Sequence, residues 1–137
     1  MNIQQLSLYD RILEIARSHP DATALVCGST RLNYGEMLER ITRLVNGMCA
    51  SGLESGQRIA YLLDNSVEYL LLIAAGFRLG TVSVCINTRT SAEEMRLVFE
   101  QTGPCQLVYE KKFEEQASQL SHMLPGGLIC MDPDNSE

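Results

Sequence analysis

The sequence predicts an α/β fold in three layers, with a mostly parallel sheet, flanking helices and a β-hairpin near the N-terminus. The evidence is strongest between residues 58 and 86. Two apolar runs rich in strand-forming residues, Arg58–Leu63 and Thr81–Ile86, flank Val67–Leu79, where apolar residues recur at helical spacing. Continuous apolar strands joined by a helix are typical of a parallel sheet that is covered on both faces.

The ends of this central helix carry recognisable signals. Asn65 is predicted to cap the first turn, and Glu68, three residues later, can return a hydrogen bond to the capping residue. Gly80 is predicted to end the helix, because glycine readily adopts the left-handed conformation that closes helices.

The elements before this unit begin with an amphipathic helix over Leu6–Ser18, for which Ser7 is the predicted cap. A hairpin is predicted next, with strands Thr23–Cys27 and Arg31–Asn33 around a glycine-containing turn. A second helix is predicted over Met37–Ala50. The chain therefore enters the parallel sheet only after a helix, a hairpin and a second helix.

Helices and strands alternate again after the central unit. A capping box at Ser91–Glu94 opens a helix that ends near Gln101. The remaining predictions are a strand, a more polar helix and a last strand, at Cys105–Tyr109, Lys111–Met123 and Leu128–Met131. This order assigns residues 1–131 to one α/β unit with right-handed crossovers, and residues 132–137 to an acidic tail that we expect to be disordered.

Composition narrows the possible functions. The 137 residues amount to one domain, with 11 basic against 17 acidic residues and a net charge of −6. This balance argues against a nucleic-acid partner and against an anionic membrane surface. The longest apolar stretch, Tyr69–Phe77, is too short to span a membrane, and the N-terminus does not resemble a signal peptide.

The five cysteines do not form a recognisable ligand or disulfide pattern. No two of them have CxxC spacing, and we expect them to be small, buried, reduced side chains; they are Cys27, Cys49, Cys85, Cys105 and Cys130. Reduced thiols fit a cytoplasmic location.

Motifs for phosphate binding and for nucleophilic catalysis are absent from these residues, since neither GxGxxG, GxxxxGK[ST] nor GxSxG occurs. The best local candidate for a contact site is Asn87, Thr88 and Arg89. These residues follow the carboxyl end of a predicted strand, where open α/β sheets bind ligands. The alternative, which we favour, is that they only order their loop.

The other polar candidates have structural explanations. Glu93 and Glu94 are adjacent, so they do not face each other on a helix, and capping accounts for them. The pair Lys111–Lys112 is expected to lie on a solvated helix. His19 and His122 lie near predicted helix ends and have no evident partner for general-base catalysis.

Three stretches, in order and at matching spacing, resemble the N-terminal part of the adenylate-forming superfamily, which contains acyl-CoA synthetases, aryl-CoA ligases and peptide-synthetase adenylation domains. Residues 24–37 resemble its opening hairpin and its LTYxEL motif. Residues 56–69 resemble GDRVA followed by NSxEY. Residues 77–95 resemble KxGAV followed by PLNxRLTxEEL. The resemblance covers about residues 8 to 110, and the motifs are specific only jointly.

The chain departs from the family pattern at Cys85, where proline is usual, and at Asn33, where threonine is usual. The Ser/Thr/Gly-rich phosphate loop with its lysine, the aromatic-Thr-Glu motif, the ribose-binding aspartate and the catalytic lysine have no counterpart in these residues. The matched motifs are chiefly scaffold in the family. No catalytic, cofactor-binding or metal-binding residue is therefore carried over.

The resemblance implies that the chain is the first subdomain of an adenylate-forming ligase. A complete ligase of this kind would activate a carboxylic acid with ATP and Mg²⁺, release pyrophosphate and pass the acyl group to a thiol, usually CoA. The isolated chain is expected to be inactive, because the phosphate loop and the catalytic lysine are missing. Its expected partners are the remainder of such a ligase, or a second copy through self-association.

Two other interpretations come from different classes of protein. The chain could be a stand-alone interaction module that binds a partner protein through faces that a complete ligase would bury. A receiver or flavodoxin-like domain is less consistent with the sequence. Receivers need a cluster of acidic residues at the strand ends, whereas the central strands here end in Asp64 and Asn87.

Overall fold

The computed structural model describes residues 6–131. It contains five α-helices and six strands within that range. The helices are α1 (Leu8–Ser18), α2 (Tyr34–Ala50), α3 (Val67–Leu79), α4 (Ala92–Thr102) and α5 (Glu114–Gln119). The strands are β1 (Thr23–Cys27), β2 (Thr30–Asn33), β3 (Arg58–Leu62), β4 (Val82–Cys85), β5 (Gln106–Glu110) and β6 (Leu128–Met131).

The predicted α/β architecture is confirmed. Strands β3 to β6 form a four-stranded sheet in the order β4-β3-β5-β6, and all three neighbouring pairs are parallel. Strands β1 and β2 form a separate antiparallel hairpin. Each crossover within the sheet contains a helix, as parallel neighbours require.

The sheet separates two hydrophobic cores. Alternate residues of β3 point to opposite faces, so Ile59 and Tyr61 pack with α1, α2 and α3, while Ala60 and Leu62 pack with α4 and α5. All of these side chains are essentially inaccessible to solvent. A helical layer on each side of the sheet gives the three predicted layers.

Capping determines where most helices begin. Complete capping boxes are present at Ser7 for α1, at Asn33 for α2 and at Ser91 for α4. The predicted cap of the central helix is wrong by one residue. Ser66, not Asn65, has the extended backbone of an N-cap, and its hydroxyl accepts a hydrogen bond from the Tyr69 N–H at 3.1 Å.

The expectation that the cysteines are buried is wrong. Four of them are exposed and Cys105 is half-buried; the exposed ones are Cys27, Cys49, Cys85 and Cys130. The reason is position rather than residue type. Cys85 and Cys130 lie on the two edge strands of the sheet, Cys27 lies at the tip of the hairpin, and Cys49 lies in the last turn of α2.

The prediction of one polar helix over Lys111–Met123 is also wrong in part. Two 3₁₀ turns, Lys111–Phe113 and Ser121–Met123, flank the short helix α5. No side chain caps either the first 3₁₀ turn or α5. Lysines in the first turn also oppose the helix dipole, so a single long helix has little to support its start. Residues 132–137, the predicted disordered tail, lie outside the described residues.

Within residues 6–131, no helix is both long enough and apolar enough to cross a membrane.

The end of α3 provides a test of the fold. Gly80 adopts φ +82°, and a Cβ there would lie 2.5 Å from the Ser55 Oγ. Gly80→Ala is therefore expected to reduce the free energy of unfolding by about 1–2 kcal/mol, the cost of placing a side chain in the left-handed region. Chemical denaturation measures this change.

Gly47→Ala is the matched control, because Gly47 lies inside α2 and a Cβ there meets no atom within 4 Å. This variant is expected to raise stability by up to about 1 kcal/mol through helix propensity. Equal effects of the two substitutions would contradict the assignment of Gly80 as a left-handed cap.

Candidate functional site

The carboxyl ends of three neighbouring parallel strands meet at one edge of the sheet. Asp64 follows β3, Asn87 follows β4, and Glu110 is the last residue of β5. Parallel strands place such residues side by side, and this edge is where open α/β sheets bind ligands. The edge is therefore the candidate site.

A hollow of about 360 Å³ opens at this edge between β3 and β4. Its polar lining comes from residues just beyond the strands, and its apolar lining comes from α3 and the strand ends; the lining residues are Leu63, Asp64, Asn65, Tyr69, Cys85, Ile86, Asn87 and Thr88. The loops that leave the strands thus provide carboxylate, amide and hydroxyl groups on one wall.

The buried carboxylate of Glu110, at the end of β5, contacts the residues that follow β3. The Glu110 side chain is only 11% exposed. Its Oε1 accepts a hydrogen bond from the Asp64 backbone N–H at 2.8 Å, and its Oε2 lies 2.9 Å from the Lys112 Nζ. Both carboxylate oxygens therefore have partners, as a buried charge requires.

Lys112 joins the two acidic residues into what we call the carboxyl-edge cluster, formed by Asp64, Glu110 and Lys112. Its ammonium also pairs with the Asp64 side chain and lies over the Phe113 ring at 5.1 Å from the ring centre. The hydrogen bond from Lys112 lowers the pKa of the Asp64 carboxyl, and the same contacts raise the pKa of Lys112. Lys112 is exposed, as expected, but its pairing with these carboxylates was not predicted.

Only two of the three predicted contact residues line the hollow. Thr88 and Asn87 line the hollow, but Arg89 is exposed and does not line it. The Asn87 Oδ1 accepts a hydrogen bond from the Arg89 N–H at 2.9 Å, and the Asn87 carbonyl accepts one from the Thr90 N–H at 2.9 Å. The side chain of Asn87 therefore orders its loop, the alternative favoured by the sequence.

The remaining candidates have local roles. The Glu94 carboxylate accepts a hydrogen bond from the Ser91 N–H at 2.8 Å, which lowers the pKa of Glu94. The Glu93 carboxylate pairs with Arg96 in the same helix. His19 is exposed with its Nδ1 2.9 Å from the Ser18 Oγ, and His122 is exposed in the second 3₁₀ turn.

The polar groups at this edge form hydrogen bonds and ion pairs with one another. The lysine of the carboxyl-edge cluster is neutralised by two carboxylates, so it is not a free cation for a phosphate. Among residues 6–131, no group of three or more His, Cys, Asp or Glu side chains could hold a metal ion. The charged residues of this edge therefore do not fit a magnesium–nucleotide site, and no catalytic step is derived from them.

Sequence reasoning recognised Asp64 and Asn87 as strand-end residues but missed Glu110 and Lys112. Asp64 and Lys112 are 48 residues apart, and they meet because β3 and β5 are neighbours in the sheet. The available signal was that all of these residues lie at or just after a predicted strand. That signal becomes useful only once the strand order is known.

Comparisons with known proteins agree with this architecture. Residues 12–134 match the family model of AMP-binding enzymes. The chain therefore belongs to the family of AMP-binding enzymes, as its motifs suggested.

Relatives and solved structures of this kind are longer than the chain. A feruloyl-CoA synthase of an Amycolatopsis species is 35% identical over 106 residues, which is 77% of this chain but 22% of that enzyme. A fatty acyl CoA synthetase of Mycobacterium tuberculosis superposes with a TM-score of 0.81 at 26% identity, over 88% of this chain and 25% of that one.

An O-succinylbenzoate coenzyme A synthetase of Bacillus subtilis, solved in complex with ATP and a magnesium ion, shares the fold with a TM-score of 0.80 at 24% identity. It aligns over 87% of this chain and 32% of that one. The chain thus spans about a fifth to a third of the length of these three proteins.

Lys112→Gln tests the electrostatics of the carboxyl-edge cluster. The pKa of Asp64 is depressed in the folded protein, so ionised Asp64 stabilises the fold above the unfolded-state pKa, and this stability is lost as pH falls through the folded value. Removing the ammonium is expected to raise the pKa of Asp64 toward its ordinary value. The free energy of unfolding should then fall less steeply as the pH is lowered. NMR titration of the Asp64 carboxyl measures the shift.

Lys111→Gln is the control, since it removes the same charge one residue away from the cluster. An Asp64 pKa that is unchanged by Lys112→Gln, or changed equally by both variants, would contradict the assigned ion pair.

Proposed function

We propose that this chain is the N-terminal part of an ATP-dependent acyl- or aryl-CoA synthetase. The complete ligase would convert a carboxylic acid and ATP to an acyl adenylate and pyrophosphate, and then transfer the acyl group to the sulfur of CoA with release of AMP. The observation that carries the proposal is the family match over residues 12–134, combined with relatives of which the chain spans only 22%.

The same proposal assigns a scaffold role to residues 1–131. The ATP, the magnesium ion and the CoA would be held by the remainder of the ligase, because the phosphate loop and the catalytic lysine of the family have no counterpart in these residues. The carboxyl-edge cluster supports this division. Its charges are satisfied internally, and this leaves Thr88 and the polar rim of the hollow as groups that could contact a neighbouring segment.

The main partner in this proposal is the remainder of the ligase, and the location is the cytoplasm, where ATP and CoA are available. The cysteines are consistent with that location, since each of the five is a free thiol in the structure.

A stand-alone interaction module is the second candidate function. It is favoured by apolar side chains left exposed on α3 and β4, where Leu70, Phe77 and Val82 are 40%, 50% and 48% exposed. Exposed apolar surface of this kind typically marks a contact with another protein.

The intact mass of the native gene product separates the two candidates. Mass spectrometry or immunoblotting of the source cells should detect a species several times heavier than 15.2 kDa if the chain is part of a ligase. A native species at 15.2 kDa would contradict that assignment and favour the interaction module.

Adenylation by the isolated 137-residue chain is expected to be undetectable. The assay is exchange of labelled pyrophosphate into ATP in the presence of a panel of aliphatic and aromatic carboxylic acids, with a full-length CoA ligase as the positive control. The physical reason is that the family's phosphate loop and catalytic lysine, which would stabilise the charge that develops on the phosphates, have no counterpart in these residues. Acid-dependent exchange, in a preparation free of other ligases, would contradict the scaffold role.

A further inference from the structure

A hollow of about 560 Å³ lies between helices α1 and α3. It shares no lining residue with the hollow at the carboxyl edge of the sheet. Two arginines line it, Arg17 from the last turn of α1 and Arg78 from the last turn of α3. Concave sites of this size are typical of those that bind small molecules.

The guanidinium groups of both arginines remain available to a ligand. Among residues 6–131, neither Arg17 nor Arg78 forms an ion pair. The Cζ of Arg78 lies over the Tyr9 ring, 5.5 Å from the ring centre. A guanidinium group on the face of an aromatic ring is held in place, while the N–H groups in its plane can still donate hydrogen bonds.

The nearby carboxylates are already engaged. Asp10 also lines the hollow, but its carboxylate caps α1 by accepting hydrogen bonds from the Ser7 N–H at 2.8 Å and from the Ser7 Oγ at 2.7 Å. Glu14 pairs with Arg11 at 2.8 Å. Two arginines and one aspartate give the lining a net charge of +1, although the whole chain has a net charge of −6. The positive end of the α1 dipole further offsets the charge of Asp10.

A second hollow with two arginines has a different charge balance. It encloses about 280 Å³, and Arg40 and Arg43 of α2 line it together with Glu68. Arg43 also pairs with Glu39. Two carboxylates therefore accompany the two arginines there, and this hollow has no excess of positive charge. The presence of two arginines alone does not distinguish the hollow between α1 and α3, whereas its unbalanced charge does.

We propose that the hollow between α1 and α3 binds the phosphate group of a small organic phosphate. Arg17 and Arg78 would each donate charge-assisted hydrogen bonds to its oxygens, because the guanidinium fork matches the spacing of phosphate oxygens. Two guanidinium groups suit a phosphate monoester, which carries nearly two negative charges at neutral pH, better than a carboxylate, which carries one.

The apolar part of the hollow provides a surface for the organic part of the ligand. Leu13 is half-buried in the lining, and Phe77 lines the hollow with 50% of its surface exposed. An exposed aromatic side chain can stack on an apolar or aromatic group of a ligand. The inference concerns α1 and α3 of this chain and does not depend on the ligase assignment.

An NMR titration of the isotope-labelled 137-residue chain tests the proposal. The ligand is phenyl phosphate, at neutral pH and at low ionic strength, because salt screens contacts with exposed charges. The expected result is a saturable shift of amide signals in α1 and at the end of α3. Two charge-assisted contacts correspond to a dissociation constant on the order of 1 mM.

Arg78→Gln and Arg40→Gln form a matched pair, since each removes one exposed guanidinium group from a hollow with two arginines. Arg78→Gln is expected to weaken the binding of phenyl phosphate about tenfold, the effect of losing one charge-assisted hydrogen bond. Arg17→Gln is expected to have a similar effect, and Arg40→Gln is expected to have none. Circular dichroism checks that each variant is folded.

Inorganic phosphate distinguishes the two possible sources of the phosphate group. It is expected to shift the same signals but to bind more weakly than phenyl phosphate, because it makes no contact with Phe77. Phe77→Ser is expected to remove this difference in affinity. Leu97→Ser is the control, because Leu97 is 48% exposed but lies on α4, away from the lining of the hollow.

Four results would overturn the proposal. The first is the absence of a saturable shift at about ten times the expected dissociation constant. The second is a set of shifts that lies outside α1 and α3. The third is an affinity that Arg17→Gln or Arg78→Gln leaves unchanged, or that Arg40→Gln weakens equally. The fourth is equal affinity for inorganic phosphate and phenyl phosphate, which would assign the hollow to free phosphate. None of these results bears on the ligase assignment, which the native mass tests separately.

Discussion

The structure depends on the burial of strand β5 on both faces of the sheet. All five of its residues are buried, and two of them are polar, Gln106 at one end and Glu110 at the other. The Gln106 Nε2 donates to the carbonyls of Ser51 and Gly126, each at 3.1 Å. Glu110 accepts from Asp64 and Lys112. Leaving any one such group unpaired would cost about 1–3 kcal/mol, so the loops at both ends of the sheet are held in place by β5.

This constraint also decides what the carboxyl edge can do. The edge has the position of a ligand site in α/β folds, but its charged side chains are used to close the ends of β3 and β5. The amide of Asn87 orders its own loop. What remains available is a polar rim at Thr88 beside an uncharged edge strand.

Sequence reasoning recovered the elements of the fold because their signals are local. Apolar periodicity and capping residues lie within a few positions of each other, so the sheet strands, the hairpin, the cap at Ser7 and the capping box at Ser91 were predictable. The failures have physical reasons. Asn65 and Ser66 can both cap, and only the backbone geometry selects Ser66. Cysteine burial and the carboxyl-edge cluster depend on which strands are neighbours and which are edges, and no local pattern encodes the strand order.

The residues that carry the family resemblance perform folding tasks in the structure. Asn33 and Glu36 form the capping box of α2, Ser91 and Glu94 form that of α4, and Ser66 caps α3. Gly80 closes α3 in the left-handed conformation, and its carbonyl accepts a hydrogen bond from the Gly56 N–H at 2.8 Å. Similarity in this region therefore follows the requirements of helix ends and sheet packing, which any member of the family must meet whatever acid it activates. It identifies the scaffold and transfers no substrate, since these side chains act at helix ends.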